Sequence, residues 1–145
     1  MSKINQVVRE FLKYMEWKWE ELSESSYRFI VPGHNGRWVC VLRWEKDSFI
    51  GCFSTCSNNV PARRRAAATE YLMRATYNLR IGNFEMDYED GEVVFKTSAP
   101  LDGIEPSMEF VKALAFANYS IMDRYLLSSG PDLRGFRQGH PQGCG

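Results

Sequence analysis

The chain has 145 residues, with 18 Lys and Arg against 18 Asp and Glu, so its formal net charge is zero; 44% of the residues are hydrophobic, 25% charged and 14% aromatic. That length supports one domain with a real core and hardly two. The balanced charge argues against a dedicated nucleic-acid or membrane-surface binder, and no run approaches the roughly 18 apolar residues of a membrane span.

Taken in order, Ser2 caps a first helix in which Ile4, Val7, Val8, Phe11, Leu12 and Met15 fall on one stripe at helical spacing. Charges run throughout it, so it is not read as a signal peptide, and the chain is read as cytoplasmic with Cys40, Cys52, Cys56 and Cys144 reduced. The helix ends near Trp17-Lys18-Trp19, and residues 20–26 read as a polar connection. Three strands follow as a meander: Tyr27 to Val31, Arg37 to Glu45, and Ser48 to Cys56, separated by a Pro-Gly-His-Asn-Gly turn and by Lys46-Asp47. A long helix is expected from Pro61 to Arg80, with Ala68, Leu72, Ala75 and Leu79 as its core stripe and Gly82 as its stop. Asp90-Gly91 then predicts a tight type I′ hairpin that pairs Glu85 with Lys96 and Tyr88 with Val93. In that register Phe84, Met86, Tyr88, Val93, Phe95 and Thr97 share one face, and the other face is mostly charged. Pro106 opens a last helix, running to about Leu127, with two adjacent apolar stripes. From 128 to 145 the Gly- and Pro-rich composition predicts a flexible tail. The order α-β-β-β-α-β-β-α makes the fold α+β, an antiparallel sheet with three helices in one domain over residues 1–127.

The string Tyr77-Asn78-Leu79, Gly82-Asn83-Phe84-Glu85-Met86-Asp87 and Asp90-Gly91-Glu92-Val93-Val94-Phe95-Lys96 resembles the YbjN-like family, over about residues 3 to 127. Its members are described as bacterial sensory-transduction regulators. The resemblance implies a fold like that of type III secretion chaperones, small α+β proteins that often form dimers and bind extended segments of other proteins. It also implies that the chain is not an enzyme. Secretion chaperones tend to be acidic, whereas this chain is neutral.

The residues offer few chemical sites. Arg63-Arg64-Arg65 sits in the first turns of the central helix, where cations oppose the macrodipole, so an anionic ligand or an acidic partner segment is one reading and a solvated face the other. Glu85, Asp87, Glu89, Asp90 and Glu92 cluster on the hairpin, but their spacing fails a calcium loop and they read as an exposed strand face. Cys52 and Cys56 are four apart and about 13 Å apart on an extended strand, which is not metal spacing. His34 falls in a turn and His140 near Cys144 in the tail, which leaves no triad. Asn118-Tyr119-Ser120 matches a glycosylation sequon but lies inside the last helix. Trp17, Trp19, Trp38 and Trp44 are read as core rather than as base-stacking platforms, although Arg28, Arg37 and Arg43 are near. The expectation is a non-catalytic module without cofactor or metal, which binds another polypeptide through a sheet edge or an apolar groove and acts as a homodimer. The rival expectation is a sensor of a small anionic ligand at Arg63, Arg64 and Arg65.

Overall fold

A computed structural model describes residues 1–129. Its elements are α1 (Lys3–Met15), β1 (Trp19–Ser23), β2 (Ser26–Pro32), β3 (Arg37–Glu45), β4 (Phe49–Thr55), a short 3-10 turn (Ala62–Arg64), α2 (Arg65–Thr76), β5 (Asn83–Met86), β6 (Val93–Pro100) and α3 (Met108–Ser129). The six strands form one antiparallel sheet in the order β1-β2-β3-β4-β6-β5. The expected α+β fold and order therefore stand, with one strand added at the edge. The tail expected after residue 128 lies, beyond Ser129, outside the described residues, as do His140 and Cys144.

Side chains alternate along the central strands. In β3, Trp38, Cys40, Leu42 and Trp44 are buried, while Arg37, Val39, Arg43 and Glu45 are exposed and Val41 is half-buried. The buried row is continued by Tyr27, Phe29 and Val31 of β2 and by Phe95 and Thr97 of β6. Against it lie Val8, Phe11 and Leu12 of α1, Ala68, Tyr71, Leu72 and Ala75 of α2, and Val111, Ala115, Met122 and Tyr125 of α3. The helices thus share one face of the sheet. The four tryptophans serve this core, with Trp17 stacked on Phe29 at 5.6 Å between ring centroids and Trp19 edge-on to Tyr27 at 5.5 Å.

At the N-terminus the sequence reading holds closely. The Ser2 hydroxyl accepts the Asn5 N–H at 3.1 Å, and Glu16 closes α1 in the left-handed region at φ 57°. The next segment departs from it. Trp19, placed by its sequence at the end of the first helix, and residues 20–23, read from their polarity as connection, form a strand paired with β2. An edge strand turned partly to water needs few apolar residues, and its acids find cations: Glu20 bonds Arg28 at 2.6 Å and Glu21 bonds Arg9 at 2.7 Å.

The central helix also ends sooner than expected, at Thr76 rather than Arg80. Tyr77 turns extended (ψ 130°) and Asn78 takes φ 72°, a conformation Asn tolerates better than most residues. The Thr76 hydroxyl then accepts the Phe84 N–H at 3.1 Å and so ties the helix end to β5. Gly82 is consequently no helix stop. It enters β5 at φ +90°, where a Cβ would lie 2.8 Å from the Lys96 carbonyl oxygen.

The hairpin is wider than a two-residue turn. Phe84 faces Phe95 and Met86 faces Val93, a shift of two from the tight-turn register. Residues 87–92 form the loop, closed by Asp87 N–H to Glu92 O at 2.9 Å and Gly91 N–H to Asp87 O at 2.7 Å. The reason is tertiary. Val60 N–H donates to Gly91 O at 2.8 Å, and the Arg65 guanidinium donates to the carbonyls of Val60 (3.1 Å) and Tyr88 (2.9 Å). Those anchors outweigh the local turn preference. Because two is the side-chain period of a strand, the faces survive: Phe84, Val93, Phe95 and Thr97 are buried as expected, and only Tyr88 is lost to the loop.

Candidate functional site

Among the described residues, α2 and edge strand β5 build an apolar groove. It is lined by Thr69, Leu72, Met73, Thr76, Asn83, Phe84, Met86 and Tyr88, with a volume of about 250 Å³. It lies beside a wider open hollow of about 660 Å³ at Met73, Arg74, Thr76, Tyr77 and Asn78. Large apolar side chains are left in water there: Met73 is 68% exposed, Tyr77 75% and Tyr88 55%, with Ile81, just before β5, at 55%. One wall is fixed by Thr69, whose hydroxyl donates to Tyr88 Oη at 2.6 Å. The other wall is β5, which has β6 on one side and no strand on the other among the described residues. An exposed apolar helix face beside this strand edge offers side-chain pockets; on the edge itself Thr76 already takes the Phe84 N–H and the Asn83 amide donates to Phe84 O at 3.3 Å, so backbone pairing is left to the Met86 end.

Arg63, Arg64 and Arg65 do not act as one cluster. Arg65 is spent inside the protein, holding the 87–92 loop to the start of α2 through three backbone carbonyls. Arg63 is exposed and Arg64 half-buried, and neither makes an ion pair among the described residues. No acidic residue occupies the first turn of α2, and Arg64 supplies no side-chain cap.

The acidic hairpin residues have structural duties. Glu85 bonds Lys96 at 3.0 Å across the ladder. The Asp87 and Asp90 carboxylates each accept the N–H two residues on, at 2.9 Å, and thereby build the loop. Among the described residues no three His, Cys, Asp or Glu side chains gather as metal ligands, and no helix is long and apolar enough to cross a membrane. The backbone N–H groups of His34 and Asn35 donate to Asp123 of α3 at 3.1 and 2.8 Å, which pins the β2–β3 turn. Asn118 of the formal sequon is fully buried.

Asn118 is also what the sequence reading missed. Its amide nitrogen donates to the carbonyls of Cys52 (2.8 Å) and Phe95 (3.0 Å), and its oxygen accepts from Ser54 Oγ at 2.5 Å. Ser54 in turn accepts the Trp38 indole N–H at 2.9 Å. A polar residue between Leu114 and Met122 on an apolar stripe was the available signal.

In the comparisons with known proteins, the YbjN model, described as "Putative bacterial sensory transduction regulator", matches residues 5–114. A chain of the solved "Structure of the HopA1-SchA Chaperone-Effector Complex" aligns at a TM-score of 0.52 and 11% identity, covering 84% of this chain and 94% of that one. At that identity the likeness shows the fold. No curated protein matches.

Proposed function

The chain belongs to the YbjN family, and from that premise we propose a non-catalytic, chaperone-like or regulatory protein that binds another polypeptide in extended form. The observation that carries this reading is the groove between α2 and β5, with Met73, Tyr77, Ile81 and Tyr88 exposed beside an open strand edge. A partner segment lies along β5, pairs with backbone only at its Met86 end, and settles two of its apolar side chains between Met86 and the α2 face. Arg63 and Arg64, without an ion pair among the described residues and next in sequence to the Arg65 that holds Tyr88 O, favour an acidic residue in that partner. The protein works in the cytoplasm and acts as a homodimer, the dimer being supported by apolar side chains left in water away from the groove, Tyr14, Leu22, Ile30 and Val39.

The test is fluorescence anisotropy with extended peptides that carry two apolar anchors and one terminal acid. Met73→Asp with Tyr77→Asp weakens binding at least about tenfold, roughly 1.4 kcal/mol, while thermal unfolding is unchanged because both side chains are exposed. Equal binding by wild type and variant would sink the groove. A second reading, a sensor of a small anion at Arg63 and Arg64, rests on their lack of ion pairs. It predicts phosphate binding that is abolished as ionic strength rises, whereas groove binding loses only the contribution of the terminal acid and keeps that of the two apolar anchors.

A further inference from the structure

The inward row of the sheet centre holds two thiols in contact. Cys40 lies opposite Ser54, and Leu42 opposite Cys52, so the two cysteines are diagonal neighbours on β3 and β4. Their sulfurs are 3.1 Å apart, and each residue is 1% exposed. Cys56, the other described cysteine, is engaged with Tyr125. The backbone around the pair is well held, since Cys52 O accepts from Asn118 at 2.8 Å.

We propose that Cys40 and Cys52 are a reversible disulfide site, closed by a hydroperoxide, that covalently joins β3 to β4 beneath α3. A disulfide spans about 2.05 Å, so closure brings the sulfurs about 1 Å nearer and, because diagonal Cα atoms lie about 7–8 Å apart, also draws β3 and β4 locally together without a change of register. Diagonal partners stand further apart than the usual bridged pair, which leaves the bond strained and readily reduced. In a reducing compartment such bridges are transient.

The chemistry balances. One thiol loses its proton, and its sulfur attacks a peroxide oxygen. The O–O bond breaks, one water (or the alcohol of an organic hydroperoxide) leaves, and a sulfenic acid remains. The second sulfur then attacks the sulfenic sulfur, the S–O bond breaks, and the departing hydroxide takes the second thiol's proton as water. Two thiols give up two electrons and two protons, and the peroxide is reduced. The neighbouring Cys40 thiol and burial push the Cys52 thiol well up, so the closed sheet holds it protonated. The first step therefore proceeds when β3 and β4 open locally, and the second when they close and restore the contact.

The experiment treats the full chain carrying Cys56→Ser and Cys144→Ser with hydrogen peroxide, removes the peroxide with catalase, and alkylates under denaturing conditions. The expected product is a monomer two hydrogens lighter, with no alkylated thiol. Trypsin then yields one species joining the Cys40 and Cys52 peptides, which dithiothreitol separates. Two alkylated thiols after complete treatment, a sulfinic acid at either residue, or a bridge between two chains overturns the proposal. The native chain gives an independent check, because chymotryptic cleavage after Phe53 separates Cys52 from Cys56; a Cys40–Cys56 bridge there also refutes it.

Discussion

Asn118 does at one position what several side chains usually share. It bonds β4 and β6 simultaneously, through Cys52 O and Phe95 O, and it supports the Ser54 hydroxyl that receives Trp38. Removing it leaves buried polar groups unpaired, each at about 1–3 kcal/mol. Asn118→Ala is therefore expected to lose about 3 kcal/mol in urea unfolding, far more than an exposed Asn would. The buried thiols give a second prediction at this scale. Burial pushes Cys56 up to about 12, while an unfolded thiol ionises near 8.5. Between those values the folded state binds more protons than the unfolded one, so stability falls as pH rises. Tyr119, also raised by burial, and Cys52 act in the same direction. Thermal scans from pH 8 to 12 should show a decline of up to about 1.4 kcal/mol per unit from Cys56, and Cys56→Ser should flatten that part of it.

At the scale of elements, the start of α2 separates three arginines that look equivalent in sequence. Arg65→Ala frees the 87–92 loop from the helix and costs about 2 kcal/mol, read from urea unfolding, because the Val60 and Tyr88 carbonyls lose a charged donor. Arg63→Glu with Arg64→Glu should do the reverse and stabilise the fold by about 0.3–1 kcal/mol per site at low salt, since acids suit a helix N-terminus. A loss of stability there would mean that both cations have partners in solution. The sequence could not distinguish the three, because only the loop's position tells which guanidinium reaches backbone. The hairpin carries the same lesson. Alternation between Phe84 and Thr97 fixed which side chains enter the core, but Asp90-Gly91 misled about the turn, since Gly91 takes φ +79° whereas Asp90 stays outside the left-handed region. Contacts from Val60 and Arg65, distant in sequence, decide the loop. The strand at Trp19–Ser23 was hidden for a related reason: edge strands are recognisable by what they pair with, and Glu20 and Glu21 read as loop until Arg28 and Arg9 are placed beside them.

For the molecule as a whole, α+β architecture and a one-sided helical layer follow from periodicity, whereas the groove does not. Met73 and Tyr77 fall on a helix and its exit with no mark in the sequence that they face water; their exposure becomes visible only with β5 in place. Light scattering across a dilution series should return about twice the 16.8 kDa of one chain, and a monomer at every concentration would overturn the dimer. The strand order has a separate consequence, for the time the chain takes to reach this state. β1 to β4 pair with their neighbours in sequence, so that four of the six strands assemble through short loops. The joint between β4 and β6 instead brings together Cys52 and Thr97, with α2 and β5 threaded between them. Closing that long loop is the slow entropic step, and the residue clasping the joint is Asn118. In stopped-flow refolding, Asn118→Ala should slow the folding arm, whereas Arg65→Ala should act mainly on the unfolding arm.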